Sequence, residues 1–260
     1  MKKRARWTAC LIPLLLLTSC SFYKSERSAE ELLALAVSGL SGVDRYTFDG
    51  ETTLLLADGR SARTAKFEGE IRNHRNLSVH VQGAQDVQTG QWMQIDRKGP
   101  DRWIARDGMK EAEEGADWNA VQTLERLVGA PKNVAYLPRR PENRAWIVKA
   151  DLEAAHATRD WKRRLEREFE SAVQAAQTSI AKLPVSRNDD FRREWNAEIA
   201  MSRKELERMM KGLNVQSTYI VAIDRRRMLP LEITELTTLQ YERDGQTCRE
   251  SRTTNVTFGL

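Results

Sequence analysis

Cysteine is scarce in this chain of 260 residues: only Cys10, Cys20 and Cys248 occur. That number excludes a disulfide-stapled scaffold, so packing must hold the fold together. Histidine is equally sparse, with His74, His80 and His156 alone. They fall in a turn, on a strand face and at the approach to a helix; two of them lie six apart with no acidic or Cys company, and no metal is expected. No apolar run approaches the about 20 residues that cross a bilayer as a helix. Gly-x-Ser-x-Gly, a glycine-rich phosphate loop and His-Glu-x-x-His are all missing, and with them the usual signs of a hydrolase, a nucleotide enzyme or a zinc protease. Carboxylates are plentiful, but in stretches such as Lys162 to Glu170 they alternate with Arg and Lys, the pattern of a solvated helix face. The residues therefore predict no catalytic group and no cofactor, and the protein reads as a non-enzyme. Internal repeats and low-complexity tracts are also lacking.

What is present begins at the amino terminus. Lys2, Lys3, Arg4 and Arg6 precede an apolar stretch from Trp7 to Leu17, and Leu17-Thr18-Ser19-Cys20 follows directly. A basic segment, a short apolar segment and small residues make a secretory signal. The ending resembles the lipobox of bacterial lipoproteins, an aliphatic residue and two small ones before a cysteine. The resemblance implies cleavage after residue 19, lipidation of the Cys20 thiol with acyl chains such as palmitate, and a protein anchored at the extracytoplasmic face of a membrane. Residues 1–19 are then the signal peptide and residues 20–28 a lipidated, mostly polar tether. Four of the 42 Lys and Arg residues lie before the cleavage point, and the rest nearly balance the 37 Asp and Glu residues. The whole-chain charge of +5 is thus mostly export machinery, and no nucleic-acid partner is expected.

From Ala29 to Leu40 the apolar spacing of Leu32, Leu33, Ala36, Val37 and Leu40 predicts a short amphipathic helix behind a Ser28 cap. The period then changes to two. Tyr46 to Leu56, Ala65 to Ile71, Leu77 to Val81, Trp92 to Asp96 and Arg102 to Arg106 read as a five-strand antiparallel meander, with turns at Asp58-Gly59 and Asn73 to Asn76. A second helix is expected behind an Asp117 cap, with Trp118, Val121, Leu124, Leu127 and Val128 on one stripe, followed by a strand over Ala145 to Ala150. Trp161, Leu165, Phe169, Val173 and Ile180, then Phe191, Trp195, Ile199, Leu206 and Met209, recur at three- and four-residue steps. They predict a helical hairpin inserted over 158–213. Tyr219 to Asp224, Leu231 to Tyr241 and Thr247 to Phe258 complete the sheet. Residues 29–260 read as one α+β domain, a strongly curved antiparallel sheet (half-barrel) with helices on its concave face.

The strand Tyr219-Ile220-Val221-Ala222-Ile223-Asp224, the turn after it and the Leu229-Pro230-Leu231 start of the next strand resemble the lipoprotein-carrier superfamily. That superfamily includes the lipoprotein localization factors and mycobacterial glycolipid-binding lipoproteins. The resemblance covers about Ala29 to Ala150 and Val215 to Leu260, and implies a sheet that can hold acyl chains. The long hairpin departs from the compact carriers.

The aromatic positions Phe48, Phe67, Trp92 and Trp103 are the candidate lining of an apolar cavity on the concave face. Ala65 and Gly69 share a face with Phe67 and would leave room for a ligand. The alternative is that these aromatics only pack a core. Cys248 reads as a small buried hydrophobe. Two function classes follow: a membrane-anchored protein that binds a lipid or other apolar ligand, or an envelope interaction or assembly factor that offers its hairpin to a protein partner.

Overall fold

The computed structural model describes residues 27–56, 58–74, 76–82, 92–97, 103–105, 119–138, 144–181 and 188–260. The signal peptide, Cys20 and nearly all of the tether lie outside the described residues. So do Asp117 and Trp118, and the side chains of Trp92 and Trp103 are not described.

Ten antiparallel strands form one open sheet. β1 (Arg45–Leu55), β2 (Ser61–Arg72), β3 (Asn76–Gln82), β4 (Trp92–Arg97) and β5 (Trp103–Ala105) are the expected meander. β6 (Lys132–Tyr136), β7 (Ala145–Leu152), β8 (Asn214–Asp224), β9 (Pro230–Arg243) and β10 (Gln246–Gly259) form a second meander. The two halves join where β1 pairs β10, so the first and last strands meet at the centre of the order β5-β4-β3-β2-β1-β10-β9-β8-β7-β6. The ends do not pair, and the sheet stays an open half-barrel. β6 was not expected from the sequence. Its alternation is weak because most of its residues are exposed at the sheet edge.

Four helices complete the described structure: α1 (Ala29–Ser41), α2 (Ala120–Gly129), α3 (Ala154–Ala181) and α4 (Asn188–Lys211). α1 begins with a full capping box. Ser28 Oγ accepts from the Glu31 backbone N–H, and Glu31 accepts from the Ser28 N–H, satisfying two otherwise orphaned donors. α2 starts two residues later than the expected Asp117 cap. Asn119 is its N-cap, with Oδ1 accepting from the N–H groups of Val121 and Gln122. The buried Lys132 ammonium closes the other end by donating to the carbonyls of Val128 and Ala130 at 2.8 and 3.0 Å, a cation where the helix dipole favours one.

The β8–β9 connection explains the Asp-turn-Pro pattern. Asp224 accepts from the backbone N–H groups of Arg226 and Arg227, both at 2.7 Å. These two donors hold its carboxyl below the ordinary aspartate range. Met228 takes a left-handed φ of 57° before Pro230 starts β9. The two-residue turn between β9 and β10 has Asp244 and Gly245 at φ 51° and 73°, which suits the twist of a hairpin.

Two apolar clusters sit on the helix-covered side of the sheet. The larger joins α1 (Leu32, Leu33, Leu40) and α2 (Val121, Leu124, Leu127) to Phe48, Phe67, Ile71, Val79, Val221, Ile233 and Val256. The smaller joins the roots of α3 and α4 (Ala157, Trp161, Leu165, Met209) and Leu213 to Val215, Leu239, Tyr241 and Cys248. Farther out, the α3–α4 hairpin is only half-buried. Phe169, Trp195 and Ile199 are partly exposed, and Arg203 ties the helices together by pairing with Glu170 and lying over the Phe169 ring. α3 starts at Ala154, four residues before the expected hairpin boundary.

Candidate functional site

Between the two clusters the helix-covered face changes character. Register places Gly50, Val256, Ile233 and Val221 in one row across β1, β10, β9 and β8. The next row is Thr52, Thr254, Glu235 and Tyr219, and the one after it is Leu54, Arg252, Thr237 and Ser217. Beyond them, Glu250, Leu239 and Val215 lead toward the second cluster. A polar belt two rows deep thus crosses the middle of an otherwise apolar face.

The belt is internally bonded. Thr52 and Thr254 share a hydrogen bond of 2.9 Å, as do Ser217 and Thr237. Thr237 donates to Glu235 at 2.9 Å, and Arg252 pairs with the same carboxylate at 3.0 Å. The side chains of Glu235 and Arg252 are 9% and 17% exposed, so the ion pair belongs to the interior. Burial works against the Glu235 charge, but Arg252, the Thr237 hydroxyl and the more distant Arg164 outweigh it and hold the carboxyl below its ordinary value. Burial, with the Glu235 charge beside it, pushes the Tyr219 phenol well above the usual tyrosine range. The enclosed Nε of Arg252 has no hydrogen-bond partner, an arrangement that is costly for a buried donor.

Over this belt lies a cavity of ≈ 470 Å³. Its floor is β1, β10, β9 and β8, one wall is α2 along its length from Ala120 to Gly129 and the other is the first turns of α3. Phe67, Leu127, Leu152, Ile233 and Val256 supply apolar lining. Trp161 of α3 stands between two guanidinium groups, Arg252 at 4.8 Å and Arg164 at 5.1 Å from its ring centre. Such contacts orient the indole and are each worth about 0.5–2 kcal/mol. On the same helix His156 pairs with Asp160 at 3.1 Å, Asp160 also pairs with Arg163, and Arg164 pairs with Glu168 at 2.7 Å.

The sequence-predicted aromatics divide. Phe67 lines the cavity. Phe48 does not: it is 2% exposed inside the larger cluster. Trp92 and Trp103 lie on β4 and β5, strands remote from the cavity floor in the sheet order. The room expected at Gly69 is taken, because a Cβ there would stand 2.3 Å from the Phe48 ring. Gly50 is covered in the same way by Phe67, at 2.4 Å. Each ring lies across the glycine paired with it on the neighbouring strand, so the two glycines make room for core rings and not for a ligand. Ala65 is 3% exposed and part of the same core.

The sequence reading missed Glu235, Arg252, Thr237 and Ser217, and assigned Trp161 to an ordinary packing stripe. A signal existed: these belt residues occupy strand positions of the same parity as Ile233, Leu239, Val256 and Val215, where an apolar residue belongs. Among the described residues no group of three His, Cys, Asp or Glu side chains is placed to hold a metal. No described helix is long and apolar enough to cross a membrane.

No protein-family model matches the sequence, and no curated protein sequence matches it. Solved structures with a similar layout include a LolA superfamily protein from Nitrosomonas europaea, at 7% identity and a TM-score of 0.30, over 90% of this chain and 94% of that one. Another is described as an outer membrane lipoprotein-sorting protein domain, from Vibrio parahaemolyticus. It matches at 9% identity and a TM-score of 0.27, over 88% of this chain and 91% of the other. A lipovitellin structure aligns with 83% of this chain and 25% of its own, at 10% identity and a TM-score of 0.34.

Proposed function

We propose that this is a lipid-anchored envelope protein that holds a lipid or other apolar ligand in the cavity on the helix-covered face, and that it does no chemistry on that ligand. The observation that carries the reading is the cavity itself, walled by α2 and α3 where continued apolar rows would have filled the space over the sheet. Its size lies within the range of small-molecule sites, about 300–1,000 Å³.

The anchor half of the proposal rests on Leu17-Thr18-Ser19-Cys20. Tyr136 Oη donates to the Arg27 carbonyl at 2.7 Å, which fastens the start of the folded domain to β6. From there Cys20 is seven residues away, so the chain can reach at most about 25 Å to it. The domain would work close to the membrane that holds its lipid.

The hairpin carries no comparable feature. Its exposed large apolar side chains among the described residues are Phe191 and Met201, ten residues apart and not on one stripe. Scattered single side chains of that kind do not make a docking patch.

Every described buried side chain lies between Ala29 and Phe258, so a chain beginning at Arg27 contains the whole described core. Expressed in the bacterial envelope and purified without detergent, it should release a lipid on solvent extraction and show the same added mass in native mass spectrometry. Thr254→Phe, which fills the cavity floor, should abolish the added mass while the fold is kept. No lipid in the purified chain, together with no binding of added amphiphiles, would overturn the reading. For the anchor, Cys20→Ser should lose fatty-acid labelling and stay uncut. Continued labelling would refute that half alone.

A further inference from the structure

The corner where the tether enters the domain is basic and aromatic. Tyr136 Oη donates to the Arg27 carbonyl, and the Tyr136 ring lies 5.6 Å from that of Trp146. The Arg225 guanidinium stacks over Trp146 at 5.0 Å, and the Arg225 N–H donates to the Arg144 carbonyl. Arg226 and Arg227 follow in the β8–β9 turn, where Arg227 reaches the Leu260 carbonyl at 3.5 Å. One chain of contacts therefore runs from the first described residue across the ends of β6, β7 and β8. Arg27, Arg144, Arg225, Arg226 and Arg227 are exposed, and Tyr136 is 40% exposed.

The charge balance along this end of the sheet is positive with its acids counted. Asp224 bonds to the amides of its own turn and Glu31 to the Ser28 amide, while Glu30 is matched by Lys132 at 3.7 Å. Farther along the rim, Arg45 and Arg72 share Glu70, and His74 pairs with Asp44. Seven arginines thus stand against the carboxylates of Asp224, Glu31, Glu70 and Asp44. The chain after the signal is nearly balanced in charge, so this excess is local.

We propose, resting on the anchoring half of the reading above, that this corner is a second membrane contact. It lies on an anionic phospholipid surface beside the tether, with its arginines among the phosphates and the Tyr136 and Trp146 rings at headgroup level. Guanidinium groups are planar, weakly hydrated forks that fit phosphate oxygens. Tyr and Trp are the residues that gather at membrane–water interfaces. Position argues the same way. The corner holds Arg27, and the seven residues back to Cys20 span at most about 25 Å. β9 runs 14 residues from this end, so the opposite end of the sheet lies roughly 40 Å farther out, several Debye lengths away.

The test needs no anchor. The chain starting at Arg27 is sedimented with vesicles of phosphatidylcholine alone and of phosphatidylcholine and phosphatidylglycerol in equal parts. Binding is expected only to the second, and should weaken as salt is raised. One basic residue at an anionic surface is worth about fivefold in binding. The triple variant Arg225→Gln, Arg226→Gln and Arg227→Gln should therefore lose at least about tenfold. Glutamine keeps the backbone N–H groups that Asp224 bonds, so the turn and the urea midpoint should be retained. Lys211→Gln, Arg243→Gln and Arg249→Gln remove the same charge from exposed positions at the opposite end and should stay within about twofold of the parent. Excess soluble glycerol phosphate should not displace the vesicles.

No preference for phosphatidylglycerol, or equal losses in the two triple variants, would overturn the contact. Displacement by glycerol phosphate would overturn it as well, replacing a surface by a discrete anion site. None of these results touches the anchor, which stands or falls on the fatty-acid labelling of Cys20→Ser. Preference for phosphatidylglycerol that is lost in the first triple variant supports the contact whatever the labelling shows.

Discussion

The Glu235–Arg252 pair makes the sharpest demand on the structure. Its side chains are 9% and 17% exposed and 3.0 Å apart, so each is the other's counter-ion in the interior. Glu235→Leu should leave Arg252 without a counter-ion in the interior, and Arg252→Met should do the same to Glu235. Breaking such a pair from one side costs about 3–5 kcal/mol. The double variant removes both charges together and should be close to the parent, or up to about 1–4 kcal/mol more stable, because two desolvation penalties vanish with the attraction. Urea unfolding with unchanged slope measures each difference, and the double-mutant cycle isolates the coupling. Acid gives a second reading. Glu235 titrates lower in the folded state than in the unfolded chain, so its contribution is full above the unfolded carboxylate value of about 4.3. That contribution is lost as pH falls through the lower folded value. The double variant should lack this part of the acid transition. Single variants that cost less than about 1 kcal/mol and simply add would refute the account of the belt as an interior ion pair.

Other parts of the fold are open to direct tests. Ser28→Ala removes one half of the α1 capping box and should cost about 1 kcal/mol in the same urea assay, whereas Ser28→Asp should be neutral. Gly69→Ala puts a Cβ 2.3 Å from the Phe48 ring, and overpacking there should cost about 1–3 kcal/mol. No change would mean that the ring moves freely. Phe48→Ala in the larger cluster should cost about 3–5 kcal/mol. Phe169→Ala on the half-buried hairpin should cost less than half as much, and equal losses would mean that the hairpin is core.

The sequence made the strands and helices legible wherever one face was apolar and the other polar, as in Tyr46 to Leu56 and Leu32 to Leu40. It failed where burial is incomplete. β6 is mostly exposed, so its alternation is too weak to separate from a loop. On the hairpin, the spacing of Phe169 and Trp195 reports which face is covered and not how deeply. The α2 cap moved from Asp117 to Asn119 because both residue types cap helices well, and composition alone does not choose between them. The cavity was hardest to see. Its floor joins β1 to the consecutive strands β8, β9 and β10 through the β1–β10 pairing, a contact between the two ends of the chain. Phe48 and Phe67 looked alike by parity. Only the rows of the folded sheet place one over Gly69 in the core and the other beside the cavity.

The polar belt also explains why the interior consists of two clusters. At Ser217, Glu235, Thr237, Arg252 and Thr254, valine or leucine would continue the rows on either side and join the clusters under α2 and α3. Such a sheet would be at least as stable, since a buried ion pair seldom improves on well-packed apolar side chains. Fold stability alone therefore gives no reason for the belt. Its effects are geometric: hydroxyl and carboxylate groups bond sideways along the rows, Thr52 to Thr254 and Ser217 to Thr237 to Glu235, and so do not fill the space above them. Arg252 is held by Glu235 on one side and stacks on Trp161 from α3 on the other, which fixes the distance between floor and wall. A cavity held open before its ligand arrives has less order to impose when the ligand binds. The belt fits a sheet whose centre is held open above its polar rows.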